Sequence, residues 1–210
     1  MVYHPAPTDV NATVDRTLQL LAPECNAAHV DFRLVPEPGL PVVRIDPEQL
    51  RQVVINLVQN AVQAMEGGGR LVVETALRVR EDIDGTTRRW VEVRVSDTGP
   101  GIPLVVRKNL FVPFVTTKDR GTGLGLAISQ RIVTTAGGSI QVRSHEGLGT
   151  TFVVRLPAAD EARGVGDEAP APGPSAPPDR DTGELAQGSG PTGDASAEPG
   201  DRPTLRTTSR

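Results

Sequence analysis

Asn56 and Asn60 stand four residues apart in a stretch with helical apolar spacing, so they share one helix face. They fall at the edge of the arc formed by Leu50, Val53, Val54, Leu57, Ala61, Ala64 and Met65. Asparagine is a poor helix former. Two in phase beside an apolar stripe read either as a polar face matched by chance or as a pair of neutral amide oxygens. Such oxygens suit Mg²⁺ when a bound phosphate supplies the balancing charge. Further along, Gly121, Gly123 and Gly125 alternate with Thr122 and Leu124 and run straight into Leu126-Ala-Ile128. Glycine admits a ligand close to the backbone. A helix starting there turns its unpaired N–H groups and the positive end of its dipole toward the loop, where phosphate is favoured. Read locally, the same run is also ordinary turn-to-helix punctuation.

Two more segments carry possible chemistry. Asp97-Thr-Gly-Pro-Gly-Ile-Pro103 follows a strand-like run. Asp97 can accept a hydrogen bond from an exocyclic amine, while Gly99 and Gly101 let a flat ring approach the backbone; plain turn chemistry fits these residues equally. Phe111 and Phe114, half of the four phenylalanines in the chain, precede Val-Thr-Thr-Lys118. Lys118 has the mobile point charge that suits a phosphate, or else is a solvated surface lysine.

The elements that would position these residues can be read from spacing. Val10, Val14, Leu18 and Leu21 predict a first helix ending near Pro23, and short strands follow at 30–35 and 42–45. Asp46-Pro47-Glu48-Gln49 is a helix start with a cap, an N1 proline and a capping-box glutamine. That helix runs to Met65 and stops at three glycines. Alternating apolar residues predict strands at 71–79 and 90–95. A short helical piece follows at 104–110, then a lid-like segment at 111–122, a helix at 124–135, and strands at 139–144 and 150–156. Helices and antiparallel hairpins in this order predict an α+β fold, a two-layer sandwich.

Composition sets outer limits. Of 210 residues, those from 158 to 210 contain only three Leu or Val and no aromatic side chain. Too little apolar surface is present there to offset the entropy of ordering. The expected organisation is one domain over 1–157 and a disordered Pro/Gly/Ala/Asp-rich tail over 158–210. The net charge of −4, with both signs interspersed along the chain, predicts no nucleic-acid partner. No apolar run is long enough for a membrane span. The single Cys25 excludes an internal disulfide, so a cytoplasmic setting is expected.

In order, these segments resemble the catalytic ATP-binding domain of sensor histidine kinases, within the superfamily that includes gyrase B, ninety-kilodalton heat-shock chaperones and mismatch-repair ATPases. The asparagine box is similar to Gln52–Met65, the first glycine box to Val95–Pro103, the phenylalanine box to Leu110–Lys118, and the second glycine box to Gly121–Ser129. Gly137-Gly-Ser-Ile and Gly149-Thr-Thr-Phe152 complete the set, over a core of about 42–157. The lid and the Gln-Ala-Met ending look most like nitrogen-regulation-type kinases. The resemblance implies a Bergerat fold, a mixed, mostly antiparallel sheet with helices on one face and ATP beneath a lid. It further implies Mg²⁺ on Asn60 with Asn56, and Asp97 on the adenine amine, with Gly99, Gly101 and Ile102 shaping the pocket and Thr150 supporting it. Gly121, Thr122, Gly123, Leu124, Gly125 and Lys118 would take the phosphates.

At position 56 the hydrolytic members of the superfamily are expected to carry glutamate, and asparagine is no general base. The resemblance therefore implies phosphoryl transfer to a histidine rather than hydrolysis, with a response regulator as the next recipient. His4, His29 and His145 do not lie in a Ser-His-Glu-type helix, so the acceptor is expected outside this chain, on a histidine-containing dimerisation domain. The sequence leaves open a fragment, a truncated gene or a stand-alone module. The alternatives are a non-catalytic nucleotide-binding regulatory module and an ATPase.

Overall fold

A computed structural model describes residues 4–81, 85–114 and 123–159. The elements run β1 (Ala6–Thr8), α1 (Val10–Ala27), β2 (Val30–Val35), β3 (Val43–Ile45), α2 (Pro47–Ala64) and β4 (Gly69–Glu81). They continue with β5 (Thr87–Asp97), α3 (Leu104–Arg107), α4 (Gly125–Thr135), β6 (Ser139–His145) and β7 (Gly149–Pro157). The five-stranded sheet has the order β2-β4-β5-β7-β6. Only the β2–β4 pair is parallel; every other pair is antiparallel. β1 and β3 form a separate two-stranded sheet, and Val43 also bridges Ala158 beyond the end of β7.

Period-2 alternation decides which side of the sheet is buried. Leu71 and Val73 on β4, Val91, Val93 and Val95 on β5, and Phe152, Val154 and Leu156 on β7 all point to the helical layer. α1 packs on α2 and α2 on α4, so the three helices cover this one face. α2 is central and buries Leu50, Val53, Val54, Leu57, Val58, Ala61 and Val62. Its cap and first-turn proline are as the sequence predicts, with Asp46 accepting the Glu48 N–H at 2.9 Å and Pro47 in the first turn, whereas the expected capping-box bond from Gln49 is not formed among the described residues.

The first helix differs from expectation. It passes through Pro23 and ends at Ala27. An interior proline removes one backbone bond and costs about 3 kcal/mol. Here Pro23 is on the exposed side, where water can reach the carbonyl it leaves unbonded. Cys25 continues the buried stripe one turn past Leu21 and is 1% exposed. Gln59 Nε2 of α2 donates to the Glu24 carboxylate at 3.2 Å. Packing of the last turn outweighs the local penalty, and the helix ends where His29 adopts a positive φ of 55°. The expected helical piece at 104–110 is a single turn, α3.

Candidate nucleotide site

Two clusters, both touching α2, form the candidate site. The first surrounds Asp97. As the last residue of β5 on the helix-facing side, it sits opposite Thr150 of β7 in the antiparallel register. It is 8% exposed. Its Oδ1 accepts from the Gly99 N–H at 2.9 Å and the Thr150 N–H at 3.2 Å. Burial pushes this carboxyl above the ordinary aspartate range, and the two backbone N–H bonds offset only part of the rise.

The loop after Asp97 is fastened on both sides. Thr98 Oγ1 accepts the Arg70 N–H at 3.0 Å, and the Thr98 N–H donates to the Arg70 carbonyl at 3.2 Å. Gly99 lies against the Ala64 carbonyl at the end of α2; a Cβ there would stand 3.3 Å from that oxygen. Gly101 has φ +75° and runs against the His145 carbonyl, leaving no room for a side chain. The Gly147 N–H donates to the Pro100 carbonyl at 2.7 Å, and the Ile102 N–H to Ser144 Oγ at 2.8 Å. Ser144 in turn donates to the Gly149 carbonyl and shares a 3.0 Å hydroxyl bond with Thr150. Ser144 is buried and unites the loop with the β6–β7 turn. Sequence reasoning missed it, although it is in phase with Ile140 and Val142 on the core face of β6.

The second cluster joins α2 to the start of α4. Asn56 Nδ2 donates to the Gly125 carbonyl at 3.0 Å and to Ser129 Oγ at 3.1 Å, while Gln52 Nε2 donates to Asn56 Oδ1 at 2.9 Å. Ser129 Oγ also donates to the Gly125 carbonyl at 2.9 Å. A carbonyl only accepts, so the amide orientation is set: nitrogen toward α4, oxygen toward Gln52. Ser129, fully buried, is a second residue missed from sequence; it lies one turn after Gly125 on the same face. Asn60 lies one turn beyond Asn56 and is half-buried. The Leu124 side chain makes no capping bond to α4, and the first turn of that helix holds no acidic residue. Gly123 has φ +66°, and its carbonyl accepts the Phe114 N–H at 3.2 Å, so the chain on either side of 115–122 meets at one point. Lys118, Gly121 and Thr122 lie outside the described residues, as does nearly all of the expected tail.

The structure therefore brings Asp97, Gly99, Gly101, Ile102 and Thr150 together at one end of α2, and Asn56, Leu124 and Gly125 together at its middle. From Asn56 to Ala64 the helix rises about 12 Å. Among the described residues no three His, Cys, Asp or Glu side chains stand together in a metal-binding group.

The profile of the Histidine kinase-, DNA gyrase B-, and HSP90-like ATPase family matches residues 45–160. The chain belongs to this family. The matched ATPase region starts at the end of β3 and takes in both clusters. Among curated proteins, the sensor histidine kinase ZraS of Escherichia coli strain K12 is 37% identical over 149 residues, 71% of this chain and 30% of that protein. The sensory histidine kinase/phosphatase NtrB of Azospirillum brasilense is 43% identical over 143 residues, 65% of this chain and 36% of that protein. The chain thus spans about a third of the length of these relatives. Full-length ShkA, solved in complex with AMPPNP, superposes with a TM-score of 0.63 at 30% identity over 75% of this chain and 32% of that one. The catalytic domain of histidine kinase ThkA gives 0.61 at 28% identity, covering 75% of this chain and 99% of that domain. This ATPase-family domain has the mixed, mostly antiparallel sheet and single helical layer expected from sequence.

Proposed function

We propose that this chain is the ATP-binding catalytic part of a sensor histidine kinase, passing the γ-phosphoryl group of ATP to a histidine on a dimerisation domain outside the chain. The observation that carries the reading is the buried Asp97. One of its oxygens is held by two backbone N–H groups, and no hydrogen bond within the described residues engages the other. A carboxylate oxygen in a glycine-walled pocket is an acceptor for an exocyclic amine, which adenine has and guanine lacks at the corresponding ring position. The second cluster lies about 12 Å along α2, a span suited to the distance from a purine to its phosphates. There the N-terminus of α4, with no acidic residue in its first turn, favours the phosphate oxygens. Gly121, Thr122, Gly123 and Lys118 join it in this reading.

Magnesium fits the donors present, because amide oxygens leave the ion's charge to be balanced by phosphate. Asn60 would hold it, with Asn56 beside it, and the ion would neutralise charge developing on the β- and γ-phosphates. In the transfer, the bond between the γ-phosphorus and the bridging β–γ oxygen breaks and a phosphorus–nitrogen bond to the imidazole forms. ADP departs and the imidazole gives up a proton to solvent. The chain's own contribution is positioning and charge stabilisation. Asn56 supplies no carboxylate base and its amide is engaged with α4 and Gln52, which favours transfer to a histidine over hydrolysis. A response regulator then receives the group, in a cytoplasmic setting; no helix among the described residues is long and apolar enough to cross a membrane.

Calorimetry with ATP and ADP in the presence and absence of Mg²⁺ tests the pocket, and incubation with a separate histidine-bearing helical hairpin tests the transfer. Mg²⁺-dependent binding followed by acid-labile label on the hairpin histidine is expected. Binding without any label would leave a regulatory nucleotide module in place of a kinase; absence of binding by the folded chain would end both readings.

A further inference from the structure

The sheet face turned away from the helices is unlike the rest of the chain. Strand alternation and register gather arginine there: Arg33 on β2, Arg70, Arg78 and Arg80 on β4, Arg88 and Arg94 on β5, Arg155 on β7 and Arg143 on β6. Three carboxylates share the face, Asp31, Glu74 and Glu92, opposite Arg70, Arg94 and Arg155 in the register. These eleven residues carry an excess of five positive charges within a chain whose net charge is −4. No helix among the described residues packs on this side.

Glu92 explains how such a crowd of guanidinium groups is held. It is 1% exposed although it lies on the open face. Arg94 Nε donates to its Oε1 at 2.6 Å, Arg155 Nε to its Oε2 at 2.8 Å, and Arg78 Nε lies 3.6 Å from Oε1. Arg94 and Arg155 keep about a third of their side-chain surface in water and Arg78 nearly half. The buried carboxylate thus orients three arginines whose outer surfaces stay accessible. Pre-oriented guanidinium groups lose less freedom on meeting a carboxylate than free ones do. Trp90, the only tryptophan of the chain, lies half-buried on the same face directly opposite Arg78. Exposed arginine beside an aromatic side chain is the composition of protein interfaces.

We propose that this open sheet face docks an acidic segment of a partner protein, in which carboxylates alternate with apolar side chains. Carboxylates would meet Arg33, Arg143 and the Glu92-bound trio, and apolar side chains would cover Ala76 and Trp90. A second copy of this face is excluded as occupant by like charge. A nucleic-acid backbone fits less well. It has no cationic or neutral group to set against Asp31 and Glu74, whereas a protein segment can place one there.

Trp90 reports on the face directly. The full chain is titrated with a synthetic peptide in which glutamate alternates with leucine, and Trp90 emission is followed. The same titration uses a peptide with glutamine for glutamate and a DNA duplex of equal charge. A saturable change with the glutamate peptide is expected, weakening with added salt and absent with the glutamine peptide. Arg33→Gln combined with Arg143→Gln should weaken it by roughly three- to tenfold, as expected for two exposed ion pairs. ATP binding by that double variant should be unchanged, because neither residue belongs to the Asp97 or Asn56 cluster, and this also reports that it is folded. The proposal is overturned by an unaltered Trp90 signal, by equal affinity of the double variant, or by tighter binding of the duplex than of the glutamate peptide at the same salt.

Discussion

Replacing Asp97 with asparagine separates the function of this residue from its cost to the fold. The amide oxygen of asparagine can take over both bonds made by Oδ1, from Gly99 N–H at 2.9 Å and Thr150 N–H at 3.2 Å. The amide nitrogen then stands where Oδ2 was, and a donor faces the adenine amine, another donor. The loss combines a charge-assisted hydrogen bond, about 1.5–3 kcal/mol, with buried donors left unpaired, about 1–3 kcal/mol. At about 1.4 kcal/mol per tenfold, ATP affinity should fall by about two to four orders of magnitude. Inosine triphosphate, which has a carbonyl in place of the amine, should be penalised much less, since the new N–H can donate to it.

Stability should move the other way. Burial raises the folded-state pKa of Asp97. A carboxyl with a raised folded pKa contributes stability below its unfolded pKa and loses it as pH rises through the folded value. At neutral pH the wild-type site therefore bears a desolvation penalty that Asp97→Asn does not. The nucleotide-free variant should melt at or above the wild-type temperature at neutral pH, and this advantage should vanish in acid, where wild-type Asp97 is protonated. Calorimetry with both nucleotides and thermal denaturation at the two pH values measure these quantities. A variant that keeps ATP affinity within a few-fold, or that melts clearly below wild type at neutral pH, would refute the role given to Asp97.

Two further substitutions probe the scaffold. Glu92→Gln should destabilise the domain by about 1–3 kcal/mol in a urea titration, limited because water rehydrates the partly exposed arginines. Burial pushes the Glu92 carboxyl up, but its bonds and charge interactions with Arg155 and Arg94 outweigh burial and hold it below the ordinary glutamate range. Its contribution is thus present above the unfolded pKa and lost as pH falls through the lowered folded value. Wild type should lose stability more steeply than the glutamine variant over that acid window, and parallel curves would count against the network. At Asn56, alanine removes two donated bonds and should cost about 1–2 kcal/mol. Aspartate should cost more, because it sets a carboxylate against the Gly125 carbonyl; equal melting temperatures for the two variants would contradict a donor role for Asn56.

Legibility from sequence varied with how local the cause was. The cap at Asp46, the apolar stripe of α2 and the strand alternation on β4 and β5 depend on neighbours within a few residues, and the structure follows them closely. Pro23 misled because the local penalty of an interior proline was visible, whereas the burial of Cys25 and the Gln59–Glu24 bond that outweigh it come from another helix. Ser129 and Ser144 carried only the phase of their helix or strand face as a signal. Their roles arise only when α4 meets α2 and when β6 brings its turn against the 97–103 loop.

The sequence by itself determined most of the elements and their order, though not β1 or the passage of α1 through Pro23, together with the buried faces of α2, β4 and β5 and the residue types that suit a nucleotide. Those properties follow from backbone geometry and period, which act over one or two turns of chain. Tertiary structure alone decided that Asp97 meets Thr150, that Asn56 spends its amide on Gly125 and Ser129, and that three arginines converge on one buried glutamate. Each of these depends on the register between strands, or the contact between helices, far apart in the chain. Such pairings are selected by the packing of the whole core, not by the residues that end up touching.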